Sequence, residues 1–218
     1  MNRIRLTPAL TRSVLFLLLL APAILAACMS NPQSTFDARG PVAEDQKNIF
    51  LFIFWIAAVV FILVEGALIY AIIRFRKKRP GPDLPKQVHG NEQLEIGLTI
   101  ATILVLAVVA VPTVLLVFDQ AEGPIDGKTP VDPLRVTAIG HQWWFEYEYD
   151  GEDVFTANEL HIPVGRTTIV SLESSDVIHS FWAPKLGGKV DMIPGTTNEL
   201  FLYTDEVGDF SGQCAEFC

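Results

Sequence analysis

The sequence predicts a membrane hairpin of two helices followed by an all-β domain outside the membrane. Three observations support this fold class: half of the 218 residues are hydrophobic, the long apolar runs all precede residue 119, and charge is divided unevenly along the chain. Residues 1–130 carry 12 basic and 10 acidic side chains, whereas residues 131–218 carry 4 and 15, a net charge of −11. An acidic domain repels a phosphate backbone, so a nucleic-acid partner is excluded.

Residues 1–27 have the layout of an export signal. Three arginines within the first 12 residues precede an apolar run at 14–20 that is too short to predict a spanning helix. The segment LAAC at 25–28 resembles a bacterial lipobox. We therefore expect cleavage before Cys28 and attachment of a diacylglycerol to its sulfur. A plain signal peptide with an incidental cysteine is the less favoured alternative, because small residues flank the sulfur.

Two apolar segments are long enough to cross a membrane. Residues 49–73 are apolar except for Glu65, and residues 96–118 carry no charge, whereas about 20 residues cross a hydrocarbon core of about 30 Å. The connection between them opens with five basic residues at 74–79. The positive-inside rule therefore predicts a cytoplasmic loop. The N-terminus and the acidic C-terminal region are then both expected on the outer side.

Two carboxylates in or beside these segments are candidate functional groups. Glu65 lies within the first span, where a carboxylate is costly unless it meets a partner. Packing against another membrane protein is the favoured interpretation, and a proton relay is the alternative. Glu95 immediately precedes the second span. By itself it is typical of a helix-start carboxylate that the helix dipole stabilises.

The region after residue 133 changes to short runs of β-branched and aromatic residues. These runs are separated by Gly, Pro, Asp or Asn, which is typical of turns between strands. The pattern predicts an antiparallel sandwich or barrel. The predicted strands cover residues 134–139, 143–149, 167–172 and 199–203.

Two features of this domain carry chemistry. Cys214 and Cys218 are four residues apart on a predicted loop, and this spacing supports a disulfide and a metal site equally well. His179 lies in a turn-like segment, 35 residues before Cys214. A lone histidine in an aromatic setting is usually structural. A histidine together with two thiolates is, however, a ligand set suited to copper.

Three segments, placed in order behind a two-helix hairpin, resemble subunit II of the haem-copper cytochrome c oxidases. They are GHQWWFEYEY at 140–149, DVIHSFWAPKLGGKVDMIPG at 176–195 and GQCAEFC at 212–218. The resemblance covers nearly all of the chain after the signal segment. It implies that the all-β domain is a cupredoxin-like Greek-key barrel that holds a dinuclear copper A centre.

The resemblance and the hydrophobic pattern together predict the organisation of the chain. The expected parts are a lipoprotein-type signal peptide at 1–27, an exported N-terminal segment at 28–47, transmembrane helices at 48–73 and 95–118 around a cytoplasmic loop at 74–94, a linker at 119–133 and the copper domain at 134–218.

The resemblance also implies a ligand set for copper. Cys214 and Cys218 are expected to bridge two copper ions, His179 to bind one ion, and the backbone carbonyl of Glu216 to bind the other. A pair of cysteines argues for a dinuclear site, because a single-copper blue site needs only one. The side chain of Glu216 resembles the family's ligand to magnesium at the junction with subunit I.

Further residues acquire roles by the same resemblance. Trp143 is expected to receive the electron from cytochrome c, whereas alternation along a strand suits Trp144 and Phe145 better to packing. The family usually has a tyrosine and a tryptophan at these last two positions. Glu95 matches a glutamate near the entrance of the lysine proton pathway. Two acids of the histidine loop, Asp176 and Asp191, are the first candidates for docking a basic donor.

The implied function is that of the electron-transfer subunit of a respiratory oxidase in a bacterial cell membrane. It would take electrons from cytochrome c or another donor outside the membrane and pass them to a haem of subunit I. Oxygen would be reduced to water there, coupled to proton pumping, so haem is expected only in the partner subunit. Subunit III and membrane lipid are the further expected partners.

One departure from the family concerns the segment after the second cysteine. The family continues with GxxHxxM, which supplies a histidine and a methionine to the copper pair, whereas the sequence ends at Cys218. We therefore expect these residues to be part of a longer chain. The alternatives are a quinol oxidase subunit II, whose branch lacks the copper cysteines, and a membrane-tethered copper-binding or assembly protein. Nitrous oxide reductase shares the copper motif but has no such hairpin.

Overall fold

A computed structural model describes residues 31–76, 90–121 and 132–216, together with position 16. The described residues form two compact units. One contains residues 31–47 and 132–216, and the other contains residues 48–76 and 90–121. Cys28 and Cys218 lie outside the described residues, so the expected lipidation and the second copper cysteine are not observed.

Two long helices, α1 (Pro41–Phe75) and α2 (Glu92–Ala121), are long and apolar enough to cross a membrane. Each extends beyond the apolar segment from which it was predicted. The predicted spans, 48–73 and 95–118, mark where apolar side chains begin and end. A helix, however, continues wherever backbone hydrogen bonds and capping groups allow it. The first turn of α1 begins with a proline, which has no N–H to leave unpaired there.

Within the described ranges, the β domain contains eight strands in two sheets. A five-stranded sheet has the order β3-β2-β1-β4-β7, and a three-stranded sheet has the order β6-β5-β8. The strands are β1 (Leu134–His141), β2 (Trp144–Tyr149), β3 (Phe155–Ala157), β4 (Thr168–Ser174), β5 (His179–Trp182), β6 (Val190–Met192), β7 (Asn198–Leu202) and β8 (Gln213–Cys214). Two helices able to span a membrane, followed by a β-sheet domain, confirm the predicted fold class.

The prediction that all strands run antiparallel is wrong for one pair. Strands β1 and β4 are parallel, whereas the other paired strands are antiparallel. The β2–β3 hairpin lies between β1 and β4 in the chain, and it leaves the far edge of β1 free for β4. Alternation of apolar residues reports which face a side chain occupies. It does not report strand direction, so the pattern could not separate the two arrangements.

The core of the domain lies between the two sheets. Alternate residues of β1, β4 and β7 point to one face, as the period of two along a strand requires. They meet Phe181 and Met192 of the smaller sheet in one buried cluster. The inward residues of the larger sheet are Val136, Ala138, Val170, Leu172, Leu200 and Leu202.

Residues 31–47, called here the N-terminal strap, belong to the same compact unit as the strands. The backbone N–H of Arg39 donates to the carbonyl of Lys185 over 2.7 Å. At the next position, a Cβ on Gly40 would lie 2.6 Å from the carbonyl oxygen of Tyr203, so only glycine fits. Ala43 is 2% exposed. The strap is therefore part of the folded domain.

Ion pairs hold the strap at its middle. The carboxylate of Asp37 accepts from Nζ of Lys185 at 2.7 Å, and the guanidinium of Arg39 lies 2.6 Å from Glu206 and 2.8 Å from Asp37. The hydrogen bond from Lys185 lowers the pKa of the Asp37 carboxyl below its usual value. Exposed pairs of this kind are individually weak, but these share partners and form a network.

The lowered pKa of Asp37 predicts that acid loosens the strap. A carboxyl whose pKa is lowered by folding contributes stability above its unfolded pKa and loses it as the pH falls through the folded value. We expect hydrogen-exchange protection of residues 31–47, corrected for intrinsic rates, to fall between pH 7 and about pH 3. Asp37→Asn should lower this protection at neutral pH and reduce its pH dependence.

The matched control for this prediction is Asp205→Asn. Asp205 is exposed and has no ion pair among the described residues. Its replacement should leave protection of the strap unchanged at every pH. Equal protection in the chain with and without Asp37 at pH 7 would show that the ion pairs do not hold the strap.

Candidate metal centre

His179 is the first residue of β5 and is 1% exposed. The sequence predicted a turn here, but the histidine begins the central strand of the smaller sheet, with β6 on one side and β8 on the other. On the β8 side, Phe181 pairs with Cys214. The sheet register therefore brings the histidine and the cysteine to the same end of the domain.

Three candidate ligand atoms converge at this end. Sγ of Cys214 lies 4.0 Å from Nδ1 of His179 and 4.0 Å from the backbone carbonyl oxygen of Glu216. Two donor atoms that share a metal ion at about 2.0–2.3 Å each are themselves separated by about 3–4 Å. A nitrogen, a sulfur and a carbonyl oxygen at these separations fit a soft transition-metal ion.

The Asp176 carboxylate fixes which histidine nitrogen faces the cysteine. Its Oδ1 accepts from Nε2 of His179 at 2.7 Å and from the backbone N–H of Val177 at 2.6 Å. The hydrogen bond from His179 lowers the pKa of Asp176 to about 2. An ionised carboxylate can only accept, so Nε2 carries a proton, and Nδ1 is the ring nitrogen that faces Cys214.

Cys214 is disulfide-bonded in this structure. A metal needs the thiolate, so binding requires reduction of this bond. Among the described residues, no three His, Cys, Asp or Glu side chains form a metal-binding group. The other two cysteines, Cys28 and Cys218, lie outside the described residues.

Trp143 lies at the tip of the β1–β2 hairpin, in its two-residue connection, and is 79% exposed. The predicted strand began at this tryptophan, whereas β2 begins one residue later. The backbone N–H of Gln142 donates to Oδ2 of Asp176 at 2.7 Å. The same carboxylate therefore joins the hairpin tip to His179. An open cavity of about 790 Å³ is lined by Trp143, His179 and Cys214 together.

The next two aromatic residues occupy opposite faces of β2, as alternation predicted. Trp144 stacks on the ring of His141 with centroids 4.5 Å apart. Phe145 packs edge-on against the ring of His179 at 6.3 Å and against Phe181 at 6.1 Å. Phe145 thus supports the candidate ligand from the core side.

The second candidate docking acid, Asp191, is bound by its neighbours. Its Oδ1 accepts from Nζ of Lys189 and from Oγ of Ser180, both at 3.0 Å, and the hydrogen bond from Lys189 lowers its pKa. Nζ of Lys189 also lies 3.4 Å from a carboxylate oxygen of Glu216. The carbonyl and the carboxylate of Glu216 therefore have separate neighbours.

Glu95 lies in the first turn of α2, in the other unit. Its carboxylate accepts from the backbone N–H of Asn91 at 3.3 Å, and the Asn91 side chain accepts from the N–H of Leu94 at 3.2 Å. This reciprocal cap is the helix-start role that the sequence suggested. A role of Glu95 in proton transfer stays a prediction.

Sequence reasoning missed the partners of these residues. Two were visible in the quoted motifs without an assigned role: His141, two positions before Trp143, and Lys189, two positions before Asp191. The available signal for His141 is its position opposite Trp144 across a two-residue hairpin connection. The role of Asp176 in orienting His179 had a weaker signal, the i,i+3 spacing of an acid and a histidine.

Gly140 offers a test of how closely the candidate ligand is packed. A Cβ at this position would lie 2.6 Å from Cδ2 and 2.9 Å from Cγ of His179, inside van der Waals contact. We expect Gly140→Ala to displace the imidazole and to lower the free energy of unfolding by about 1–3 kcal/mol, the usual cost of overpacking. The thermal midpoint of the full chain measures this.

The matched control is Gly208→Ala, where a Cβ would meet only Phe210, at an ordinary contact distance of 3.7 Å. Both substitutions remove the same backbone freedom from the unfolded chain, so the comparison isolates the contact with His179. Equal thermal midpoints for the two variants would contradict the close packing.

Comparison with protein families gives two matches. The family model described as "Cytochrome C oxidase subunit II, transmembrane domain" matches residues 29–116. The model described as "Cytochrome C oxidase subunit II, periplasmic domain" matches residues 152–218. Between them, the two matches include α1, most of α2 and the three converging ligand residues.

Individual relatives agree with these matches. Cytochrome c oxidase subunit 2 of Alkalihalophilus pseudofirmus is 36% identical over 195 residues, which are 89% of this chain and 57% of that protein. Quinol oxidase subunit 2 of Bacillus spizizenii is 33% identical over 213 residues, 96% of this chain and 65% of that protein. The chain thus spans less than two thirds of the length of either relative.

A solved structure is similar to part of this chain. The crystal structure of the periplasmic domain of subunit II of cytochrome oxidase from Bradyrhizobium japonicum is 33% identical and has a TM-score of 0.39. The similarity covers 42% of this chain and 78% of that one.

Proposed function

Because the chain belongs to the cytochrome c oxidase subunit II family, we propose that it is the electron-accepting subunit of a respiratory oxidase. The observation that supports this most is the convergence of His179, Cys214 and the carbonyl of Glu216 beside the exposed Trp143. A donor that contacts the hairpin tip would then lie close to the metal-binding end of the domain.

In the proposed reaction the chain takes single electrons from cytochrome c or another donor outside the cell membrane. It passes them to a haem of subunit I, where oxygen is reduced to water with coupled proton pumping. Subunit III is a further partner. The two spans, α1 and α2, hold the chain in the bacterial membrane. A diacylglycerol on Cys28 would add a lipid anchor beside these spans.

Copper would be held by Nδ1 of His179, the thiolates of Cys214 and Cys218 and the carbonyl of Glu216. When bound, a dinuclear copper pair would supply a one-electron acceptor shared between two ions. The protein contributes a buried histidine in a fixed orientation, with Asp176 hydrogen-bonded behind it. Before loading, an external dithiol would have to give two electrons and two protons to the Cys214 disulfide and be oxidised itself.

Two further assignments extend this proposal to neighbouring subunits. The carboxylate of Glu216 would bind magnesium at the junction with subunit I, with Lys189 stabilising its charge in the isolated chain. Glu95 would stand at the entrance of the lysine proton pathway of subunit I. Its position at the capped start of α2 places a carboxylate at the end of a span.

Donor docking is the remaining element of the proposal. The region from residue 131 carries a net charge of −11, which favours association with a basic protein. Asp176 and Asp191 remain partly exposed although both accept hydrogen bonds. We propose that they lie at the rim of the donor contact around Trp143.

A quinol-oxidising complex is a second candidate, because quinol oxidase subunit 2 of Bacillus spizizenii is similar over nearly all of the chain. The cysteine at 214 and its separation from Nδ1 of His179 favour the copper-containing branch. The choice of donor distinguishes the two: electrons from cytochrome c support the first function, and electrons from quinol alone support the second.

Copper binding is the first test of the proposed function. The full chain, reduced with a dithiol and then freed of it, should bind copper, whereas the oxidised chain should not, because a disulfide sulfur is a poor ligand. We expect His179→Asn to lower the copper affinity at least about tenfold. The exposed His161 gives the matched control, His161→Asn. Equal affinity of both variants would rule out His179 as a ligand.

Electron uptake by the assembled oxidase is the second test. Replacing Trp143 with phenylalanine should slow electron uptake from cytochrome c, whereas Trp55→Phe within α1 should not. Raising the ionic strength should also slow it, because salt screens exposed charges beyond about 10 Å at 0.1 M. A rate of electron uptake that does not change with ionic strength would exclude steering by the acidic domain. An equal rate in the Trp143→Phe variant and the unaltered complex would exclude the proposed contact.

A further inference from the structure

We propose that His141 is a positioning residue that holds the β1–β2 hairpin tip, Gln142–Trp143, in the geometry needed for electron uptake. This inference rests on the proposed function and goes beyond it by assigning a role to a histidine outside the metal-binding set. Its ring contacts two other segments of the chain, strand β2 and the loop after β4.

The strand register places His141 directly before the tip. It is the last residue of β1 and pairs with Trp144, the first residue of β2. The two rings stack with centroids 4.5 Å apart and an interplanar angle of 8°. Direct cross-strand neighbours of this kind stabilise a hairpin. Stacking therefore closes the hairpin immediately beneath Trp143.

Both ring nitrogens have hydrogen-bond partners. Nε2 lies 2.9 Å from a carboxylate oxygen of Glu146, and Nδ1 lies 2.8 Å from Oγ of Ser175. The Ser175 hydroxyl also donates to the carbonyl of Gly140 at 3.0 Å. Glu146 belongs to β2, and Ser175 directly follows β4. The imidazole of His141 thus ties the end of β1 to β2 and to the loop after β4.

The loop after β4 connects the His141 contacts to the candidate metal centre. Asp176, the residue after Ser175, accepts from the N–H of Gln142 and from Nε2 of His179. One short segment therefore holds the hairpin tip at two points and orients the candidate ligand. Trp143 is largely exposed, so its position depends on the backbone of the tip and on these two attachments.

Two substitutions separate stacking from hydrogen bonding. His141→Phe keeps a ring over Trp144 and removes both hydrogen bonds. His141→Gln loses the ring and keeps a donor directed toward Glu146. The matched controls are His161→Phe and His161→Gln, because the His161 side chain is 74% exposed and lies 3.8 Å from Glu159, and the backbone of His161 bonds to Tyr149. Ser175→Ala is a milder variant that leaves His141 in place and removes the hydrogen-bond partner of its Nδ1.

The first measurement is hydrogen exchange of residues 140–147 in the full chain without copper. We expect exchange at the tip to become about tenfold faster in His141→Phe, since two hydrogen bonds are lost. His141→Gln and Ser175→Ala should give smaller increases, and the His161 variants none. Unchanged exchange in both His141→Phe and Ser175→Ala would overturn the proposal.

The second measurement is electron uptake by the assembled oxidase. His141→Phe should lower the rate at saturating donor, with partial recovery in His141→Gln, while the paramagnetic spectrum of the copper centre stays unchanged. A general loss of folding would instead remove the copper signal, and Ser175→Ala then provides the test. Faster exchange with undiminished electron uptake would overturn the proposal.

Failure of the proposed function is distinguishable from failure of this inference. If the unaltered complex took no electrons from any protein donor, the proposed function would be wrong, and the role of His141 in electron uptake with it. If the unaltered complex accepts electrons and loses none of its rate in His141→Phe, only the role of His141 is wrong.

Discussion

The hydrogen bonds accepted by one carboxylate, that of Asp176, connect the parts of the domain on which its chemistry depends. Asp176 receives N–H groups from Gln142, Val177 and His179. Because an ionised carboxylate only accepts, the bond from His179 sets the tautomer of the imidazole and directs Nδ1 to Cys214. The bond from Gln142 attaches the hairpin tip to the same carboxylate and so fixes its position relative to the His179 ring. A change at either attachment is therefore transmitted to the other through a single side chain.

The framework around this carboxylate is assembled from segments that are distant in sequence. His179 is buried because β6 and β8 flank it and because Gly140 leaves room for its ring. The strap reaches the strand that bears Cys214 as well: Nε2 of Gln33 donates to the carbonyl of Gly212 at 3.1 Å. Gly212 is itself close-packed, with its Cβ position 3.2 Å from the carbonyl of Trp182. The segment before the first span thus contributes directly to the support of the candidate metal centre.

The sequence predicts those features that depend on local pattern. Length and hydropathy predict α1 and α2, alternation predicts the main strands, and the motifs predict that His179 and Cys214 come together. Features that depend on contacts between distant residues could not be predicted in this way. Asp37 and Lys185 are 148 positions apart, and nothing near either residue indicates their ion pair. The sequence predicts Asp176 only as a docking acid. Its bonds to Gln142 and His179 exist only after β1 and β5 are in place, so its role in orienting His179 could not be predicted. The spacing of the two cysteines equally could not decide between a disulfide and thiolate ligands.

In the proposed donor interaction, long-range electrostatic attraction and close contact depend on different residues. Asp176 and Asp191 accept hydrogen bonds from within the domain, so part of their charge is already compensated at short range. Steering depends instead on the summed field of the acidic domain, to which every carboxylate contributes regardless of its local partner. The surface next to Asp176 is apolar: Val177 and Ile178 are exposed, as is Trp143. Under the proposed function, charge therefore governs how often a donor arrives, whereas close contact with the hairpin tip is made by apolar side chains whose position His141 and Asp176 determine.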